Sequence, residues 1–517
     1  MKTFFSTILI SLGISCPLFS ESLLFQKTKA EFENKTKVVI LENGLTLLLM
    51  KRETSPTLAL YTKFRVGAVD ESPEIAGTAH LLEHMLFKGT SSVGTSDYAK
   101  EGKIQKQIEI TGDRLDDLRL VARDLKEKGI PIGGDLQKKI EKEEKLLQNL
   151  IRLQDPYIIK NEDSFIYEQN GEVGFNAYTS HDVTNYQIQL PKNRLEIWAK
   201  VESDRLKDPV LREYYTERDV VLEERRMRTD DSGGGALREK FFATAFESHS
   251  YRRPVIGYST NLPYLKISET YKFFKENYTP ENIVIAIVGS QEFLETESII
   301  RKYFSDLRPG KPRVPFKVKE ASFLGEKRFI IEHPSSSQIL FGWHKPTIPH
   351  PDNASFDLLA EILAKGATSR LYNRLVMEDK LAISVGAGNG YPGERFGNLF
   401  SISVKPKAEV NPELIEKVVQ EELKKIEDNG VTAEELKKVK NQLIADFLRA
   451  MDNNANLADN LSYYQLLFGD WRELFHGYEN LEKVQSEDLQ KIISKYCKRS
   501  QLTIGILKDS RKKVGSP

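Results

Sequence analysis

His80-Leu-Leu-Glu83-His84 is the stretch that determines how this 517-residue sequence is interpreted. If it is helical, His80 and His84 project from one face of the helix, one turn apart. Two imidazoles placed in this way can hold one metal ion, and Glu83 sets a carboxylate base beside them. The leucines between the histidines give the helix an apolar face that would pack with or without a metal. The alternative is therefore a core-packed helix with two surface histidines. The remaining sequence is needed to distinguish these two interpretations.

The order of the motif is the reverse of the commoner His-Glu-x-x-His zinc motif and corresponds to the inverzincin pattern. A catalytic zinc needs three protein ligands and an open position for water, so one ligand is missing from the pair. A predicted helix at 216–228 offers three carboxylates, those of Glu217, Glu223 and Glu224. Glu217 and Glu224 share a helix face, whereas Glu223 points about 100° away from Glu224. Spacing alone leaves the third ligand open among them.

The length of the chain predicts two or more domains with substantial cores. Its 75 basic and 75 acidic residues cancel, so no global field attracts nucleic acid or an anionic membrane.

The first 22 residues are predicted to be a secretory signal peptide, because Lys2 precedes a short apolar run at 4–12. That run is too short to span a bilayer as a stable anchor. We therefore expect export to the periplasm of a Gram-negative-type bacterium. Cys16 allows a second interpretation, a relaxed lipoprotein box that would anchor the protein to a membrane. Cleavage of the signal peptide would leave Cys497 as the only thiol, which excludes an intrachain disulfide.

Several patterns outline the first half of the chain. Asn43-Gly44 between two β-type runs predicts a hairpin, a further strand is expected at 57–66, and the motif helix should begin near Ala76. Strands are also expected within 175–190 and 282–288. Ser232-Gly-Gly-Gly235 predicts a flexible turn.

A segment at about 101–160 differs from its surroundings because it is dense in lysine, glutamate, aspartate and leucine at helical spacing. An Ile-Pro-Ile-Gly-Gly stretch at 130–134 interrupts it. We predict a charged helical hairpin that is exposed to solvent over most of its surface. A solvated spacer is the favoured interpretation of this insertion, and a partner-binding arm is the alternative.

The two halves of the chain show signs of a duplication. A proline-rich basic stretch at 309–319 predicts an interdomain linker. Beyond it, 357–366 (Asp-Leu-Leu-Ala-Glu-Ile-Leu-Ala-Lys-Gly) matches 80–89 in its leucines, lysine and glycine. Asp357, Ala360 and Glu361 stand at the places of the two histidines and the glutamate. We infer a repeated fold whose second copy has lost the metal motif.

The sequence Gly77-Thr-Ala-His-Leu-Leu-Glu-His-Met-Leu-Phe-Lys-Gly-Thr90 resembles the pitrilysin/insulinase metallopeptidase family, which includes the mitochondrial processing peptidases. Similar stretches follow at 176–180, 217–226, 249–257 and 369–372, so the resemblance covers nearly the whole chain from about residue 37. It implies the α+β fold of LuxS and the processing peptidases. Each of two homologous α/β units would have an antiparallel sheet with helices on one face.

The resemblance also implies a division of the chain and a set of site residues. The N-terminal zinc peptidase domain would span 37–308, and the inactive C-terminal domain 320–510. One Zn²⁺ per chain would be held by His80, His84 and Glu224, with Glu217 supporting the site from a second shell. The insertion at 101–160 accounts for an unusually long separation between the histidine pair and Glu224.

Substrate binding is predicted at one short segment, which is similar to the substrate-binding edge strand of the family. An extended peptide would add to that strand through backbone hydrogen bonds. An ordinary edge strand is the alternative. The histidines at 181 and 249 are not expected to be ligands. The predicted substrate-binding residues are Asn176, Ala177, Tyr178 and Thr179.

The chemistry of such a site follows from general principles. A zinc ion lowers the pKa of its bound water to about 7, which makes hydroxide available at neutral pH. Glu83 would take the proton, and the hydroxide would attack the scissile carbonyl of a peptide or an unfolded polypeptide segment. Because His80 and His84 must be neutral to bind zinc, we expect activity to fall as the pH approaches about 6.5.

One departure from the family concerns the second half. Many members hold the substrate carbonyl with an arginine and a tyrosine seven residues apart, but the corresponding positions here are Val376 and Ile383. Neither side chain can donate a hydrogen bond to an oxyanion. We therefore predict a heterodimer in which a homologous subunit supplies the Arg/Tyr pair. A self-sufficient monomer or homodimer with another donor, and a non-catalytic assembly subunit, are the alternatives.

Overall fold

The computed structural model describes residues 18–53, 55–310, 318–320 and 325–511. Most of the predicted signal peptide, including Cys16, and most of the predicted linker at 309–319 lie outside these ranges, so both stay predictions. No helix within the described ranges combines the length and the apolar character that crossing a bilayer requires.

The first sheet has six strands in the order β1-β2-β6-β3-β5-β4. The predicted hairpin is confirmed: Gly44, with φ of +92°, occupies the turn between β1 and β2 in a conformation that favours glycine. Every residue of β6 is buried, as expected for a central strand. The strands are β1 Thr36–Ile40, β2 Thr46–Lys51, β3 Thr57–Phe64, β4 Val173–Thr179, β5 Thr184–Pro191 and β6 Ile283–Gly289.

The second sheet repeats the topology of the first, with the order β7-β11-β8-β10-β9. Five strands of the first sheet have the order β2-β6-β3-β5-β4, and adding five to each of these numbers gives the order of the second sheet. The two-unit α+β fold is therefore confirmed. The strands are β7 Lys327–His333, β8 Gln338–Lys345, β9 Ala382–Tyr391, β10 Asn398–Pro406 and β11 Leu502–Asp509.

One detail of the sheets differs from the expectation, because each sheet is mixed rather than wholly antiparallel. The last strand of each unit inserts between the first two strands of the shared pattern. It runs antiparallel to one neighbour and parallel to the other, so β2 and β6 are parallel, as are β7 and β11.

Helices cover the sheets and connect the strands. In the first half they are α1 Leu18–Lys35, α2 Thr78–Met85, α3 Tyr98–Glu127, α4 Gly134–Gln154, α5 Glu162–Glu168, α6 Leu195–Lys207, α7 Tyr214–Arg225, α8 Gly233–Ala245, α9 Ile267–Asn277 and α10 Phe293–Phe304. In the second half they are α11 Asn353–Ala364, α12 Arg370–Tyr372, α13 Pro412–Asn429, α14 Ala433–Ala450, α15 Asn454–Phe468, α16 Glu473–Lys483 and α17 Ser486–Tyr496.

The two units exchange helices across their interface. Helix α15 of the second half packs on β3 and β6 of the first sheet, and α8 of the first half packs on β11 of the second. Each sheet thus has helices on both faces, its own on one side and a helix of the other unit on the other. The apolar residues on both faces of β2, β3 and β6 make this arrangement necessary, since they are buried in two separate clusters.

The predicted flexible turn at 232–235 is wrong. Ser232 is the N-cap of α8, its hydroxyl accepts a hydrogen bond from the Gly235 amide, and the three glycines form the first helical turn. Packing explains the glycines: a Cβ atom at Gly233 would collide with Ser335, and one at Gly235 with the carbonyl of Arg228. Tertiary contact has overridden the turn propensity of this stretch.

The predicted charged hairpin is confirmed as α3 and α4, joined by residues 128–133. Its base belongs to the fold, because the buried carboxylates of Glu101 and Asp116 pair with Arg212 and Arg218 near and on α7. The 30 residues of α3 extend about 45 Å, so its distal part projects from the domain.

Candidate metal centre

Helix α2 is fixed against the core so that one face looks into a cleft. Leu81 and Leu82 are fully buried in the main core cluster of the first unit. At the N-terminus of the helix, the Glu71 carboxylate accepts hydrogen bonds from the amides of Gly77 and Ala79, at 2.9 and 2.7 Å. Burial raises the pKa of Glu71 to about 8 against those two hydrogen bonds. This anchoring leaves the motif residues on the cleft side.

Three potential ligands converge in the cleft. The Nε2 atoms of His80 and His84 lie 3.7 and 3.5 Å from Oε2 of Glu224 on α7. Zinc–ligand bonds of about 2.0–2.1 Å in a tetrahedral site would separate the ligand atoms by about 3.3 Å. The three groups therefore fit a zinc ion with little rearrangement, and all their ligand atoms fall within 4.8 Å of one another. No other such group of three occurs in the described part of the chain.

The other two carboxylates of α7 occupy different positions. The Glu223 side chain is 62% exposed and pairs with Arg226, so it lies outside the cleft. Glu217 reaches the far side of His84, with its Oε2 atom 3.5 Å from Nδ1. It also pairs with Lys88 at 2.5 Å. This is the arrangement of a carboxylate that orients a ligating imidazole from behind.

The two histidines have opposite electrostatic surroundings. Burial, reinforced by the nearby His84, lowers the pKa of His80 to about 4. Burial also works against the charged form of His84, but hydrogen bonds with Glu217 and Glu224 outweigh it and raise its pKa to about 9. A metal ion must therefore displace a proton from His84, whereas His80 is already a neutral donor.

Glu83 projects into the same cleft from the middle of the motif. Its Oε2 atom accepts a hydrogen bond of 2.5 Å from the hydroxyl of Thr179, at the end of β4. Burial raises the pKa of Glu83, and the Thr179 hydroxyl opposes that shift. Glu83 shares a cavity of about 570 Å³ with the three potential ligands. A carboxylate held there is placed to exchange a proton with a water at the metal position.

The predicted substrate segment borders this cavity. Among the strands of the described residues, β4 is at the edge of the first sheet and pairs with β5 alone. Asn176, Ala177, Tyr178 and Thr179 all line the cavity. The Tyr178 hydroxyl is directed away from the metal ligands, toward Asp459 of α15 at 3.0 Å. Tyr178 thus links this strand to the second unit, and the binding of a peptide at its edge stays a prediction.

The other positions discussed in the sequence do not line this cavity. His249 lies at the interface of the two units, against Phe396, and His181 lies beside it, against Tyr251. Burial lowers the pKa of each histidine to about 4. Val376 is half-buried at the edge of the second core, and Ile383 on β9 is 63% exposed. Neither position offers a donor.

Three features of the site were missed by the sequence analysis. They are the buried Glu71 at the start of α2, the Lys88–Glu217 pair, and Arg228, which pairs with Glu224 at 2.8 Å. Arg228 could have been found, because it stands four residues after Glu224 and helical i,i+4 pairs are common. The other two depend on contacts between separate elements and leave no local signal.

Comparison with known families matches two regions of the chain. The model "Insulinase (Peptidase family M16)" matches residues 46–109, and "Peptidase M16 inactive domain" matches residues 265–443. The first contains the whole His80–His84 motif. The chain belongs to the insulinase (M16) peptidase family.

Similar proteins extend this assignment along the chain. "Zinc protease PqqE" of Helicobacter pylori is 24% identical over 97% of this chain and 97% of its own. The probable mitochondrial-processing peptidase subunit beta of Arabidopsis thaliana is 22% identical over 92% and 78%. Among solved structures, a protease from H. pylori has a TM-score of 0.75, with 23% identity over 92% of this chain and 99% of its own. The periplasmic protease PqqL from Escherichia coli has a TM-score of 0.66 at 17% identity, over 93% of this chain and 49% of its own.

Proposed function

We propose that this M16 protein is a zinc metalloendopeptidase that hydrolyses peptides or unfolded polypeptide segments. The observation that carries the proposal is the convergence of His80, His84 and Glu224, with Glu83 in the same cavity. The proteins that are similar to this chain include several named zinc proteases, which supports a metal-dependent peptidase. The same convergence supports one zinc ion per chain and the roles of the individual residues.

The roles of the residues follow from their positions. When bound, zinc lowers the pKa of a coordinated water toward 7 and polarises the scissile carbonyl. Glu83 accepts a proton from the attacking water as the water oxygen bonds to the carbonyl carbon. Glu83 then returns that proton to the amide nitrogen as the C–N bond breaks. The products are a carboxylic acid and an amine, and transfer of the acid's proton to the amine gives a carboxylate and an ammonium group. Thr179 holds Glu83 in place through its hydroxyl.

Extended peptides are the substrate class that the cleft favours. The free edge of β4 can add a peptide strand through backbone hydrogen bonds, which requires an unfolded segment and depends little on side chains. Asn176 and Ala177 would then lie beside the scissile bond, since both border the cavity that holds Glu83.

Two further parts of the proposal rest on the sequence alone. The signal-like segment at 1–22 supports export to the periplasm, with Cys16 as an alternative lipid anchor. The absence of donors at Val376 and Ile383 supports a homologous partner subunit whose Arg/Tyr pair would raise the rate. Proteomic detection of the mature N-terminus in a periplasmic fraction, and co-purification of a homologous chain, are the respective tests.

A non-catalytic assembly subunit is the alternative function, since M16 proteins include inactive domains. The discriminating experiment uses purified, zinc-loaded mature protein and an unstructured peptide with a fluorophore and a quencher. Glu83→Gln should abolish hydrolysis while one zinc per chain remains. Glu361→Gln, at the place that matches His84 in the second half, should leave hydrolysis unchanged. Hydrolysis that survives Glu83→Gln, or an absence of hydrolysis by zinc-loaded protein with and without its co-purified partner, would refute the proposal.

A further inference from the structure

Arg228 lies where the proposed mechanism needs a donor. It follows α7 in a turn at Arg226–Asp230 and borders the same cavity as Glu83 and Asn176. The turn is fixed by its backbone, because the Asp231 amide donates to the Arg226 carbonyl and Gly235 of α8 packs on the Arg228 carbonyl. The side chain itself is 73% exposed. A turn with a fixed backbone thus presents the Arg228 guanidinium to the cleft.

The two oxygens of Glu224 have different partners. Oε2 faces the imidazoles of His80 and His84, whereas Oε1 is 2.8 Å from Nη1 of Arg228. Glu224 can therefore bind a metal through Oε2 while Arg228 holds Oε1. A guanidinium has five N–H donors, and a single contact of this kind leaves most of them available.

The charges around the cavity single out this residue. Two side chains with permanent positive charge line the cavity, Lys88 and Arg228. Lys88 is occupied by Glu217 and Glu213, at 2.5 and 3.2 Å. Among the residues that the structure describes, Glu224 is the sole carboxylate paired with Arg228. Of these two cations, Arg228 is therefore the one with N–H groups available for a further acceptor.

We propose that Arg228 donates a hydrogen bond to the scissile carbonyl oxygen, and to the oxyanion that develops from it, while it orients Glu224. The proposal rests on the peptidase function proposed above. Arg228 would thus supply the hydrogen-bond donor that the side chains of Val376 and Ile383 cannot provide. A partner subunit would then add to the rate but would not be required for turnover. Donors of this kind contribute most in the transition state, so their removal lowers kcat more than it raises KM.

The test compares two substitutions of Arg228 with a matched control two residues away. In Arg228→Lys, the ammonium can still pair with Glu224 but lacks the planar fork that serves two acceptors at once. Arg228→Ala removes both contacts. Arg226→Ala is the control, because Arg226 lies on the same turn and pairs with Glu223 and Asp231 outside the cleft. Each variant is assayed for kcat, KM, zinc affinity by chelator competition, and affinity for a phosphinic peptide that mimics the tetrahedral intermediate.

We expect Arg228→Lys to keep the zinc affinity of the wild type but to lose on the order of 100-fold in kcat and in affinity for the phosphinic peptide. Arg228→Ala should show the same losses and also bind zinc about 10-fold more weakly. Arg226→Ala should match the wild type in all four measurements. The affinity for the phosphinic peptide provides a readout that does not depend on turnover.

Two results would overturn the assignment. If Arg228→Lys restores kcat and phosphinic-peptide affinity together with zinc affinity, Arg228 only orients Glu224. If both Arg228 variants hydrolyse peptide like the wild type, it has no role at the carbonyl. A zinc-loaded wild-type protein that neither hydrolyses peptide nor binds the phosphinic peptide would instead refute the peptidase function itself, and the assignment would fail with it.

Discussion

The matching helices of the two halves, α2 and α11, have the same place in the topology but different chemistry. Each follows the same strand of the shared sheet order, and each packs against the corresponding edge strand, β4 or β9. In α2 the cleft side carries His80, Glu83 and His84. In α11 the matching places carry Asp357, Ala360 and Glu361.

The polar residues of α11 are satisfied within the second half itself. Asp357 accepts a hydrogen bond of 2.8 Å from Asn389, and Glu361 pairs with Lys365 at 2.9 Å. The cavity beside them, of about 290 Å³, is bordered by Leu443 of α14 and Tyr478 of α16. His350, Glu394 and Glu473 also border this cavity, but among the described residues no three such groups there lie close enough together to share a metal ion. The comparison teaches that a preserved helix and sheet do not preserve a metal site, because the third ligand comes from another element.

Paired substitutions at His84 and Glu361 should give the largest effect. We expect His84→Ala to bind no zinc under conditions that give the wild type one zinc per chain, and to lower hydrolysis by at least about 100-fold. Glu361→Ala should change neither, because Glu361 lies in the second half and pairs there with Lys365, just beyond the end of α11. Metal analysis and the peptide assay check both. Loss of zinc from Glu361→Ala would show that the second half also contributes to metal binding.

Acid should weaken the interface that joins the halves. Burial lowers the pKa values of His181, His249 and His344 to about 4, against about 6.5 in an unfolded chain. Above pH 6.5 these groups are neutral in both states. Below it the unfolded chain takes up protons that the folded interface excludes, so stability falls between pH 6.5 and 4. The loss is up to about 1.4 kcal/mol per histidine per pH unit.

Urea unfolding at pH 7 and pH 5 measures this effect. The protein used should carry His80→Ala and His84→Ala, so that titration of the metal site and loss of zinc do not contribute. Substituting His181 with glutamine should reduce the pH dependence, because a neutral amide takes up no proton. Equal urea midpoints at the two pH values would show that the interface does not exclude protons from these histidines.

The link between β4 and the second half predicts a smaller effect. The ammonium of Lys63 is fully buried and bonds to Asp459 of α15 at 2.7 Å, to Tyr178 and to Asn185. Asp459→Ala removes its anion and should lower the free energy of unfolding by about 2 kcal/mol, since Asp459 is itself partly exposed. The urea midpoint gives the value. Asp446→Ala, at a surface pair on α14, is the control and should cost no more than about 0.5 kcal/mol.

The distal hairpin should matter least for hydrolysis. Between α2 and β4 the first half contains α3, α4 and α5, whereas the second half has the short α12 and a π-helical segment at Asn373–Glu378 between α11 and β9. Replacing residues 121–142 by a short Gly/Ser turn keeps the anchors Glu101 and Asp116. For a solvated spacer, peptide hydrolysis and the urea midpoint should stay unchanged. Loss of a co-purified partner in this variant would instead favour the partner-binding arm.

Much of the fold was predictable, because its signals are local. The hairpin at Asn43-Gly44, the buried strand β6 and the charged hairpin follow from turn chemistry and periodicity. The glycine run at 233–235 gave the wrong prediction, because close contact with the second unit, invisible in the local sequence, keeps it helical. The parallel pairs β2·β6 and β7·β11 also depend on where a distant strand inserts.

The candidate site shows the same difference between features that follow from local sequence and features that depend on tertiary contacts. The spacing of His80 and His84 was enough to place them on one helix face with Glu83 between them, because a helix repeats every 3.6 residues. The packing of the elements then brings Glu224 to the histidines, leaves Glu223 exposed to solvent, and places the Thr179 hydroxyl against Glu83. These contacts join residues on separate elements, and local periodicity carries no information about how such elements pack against one another.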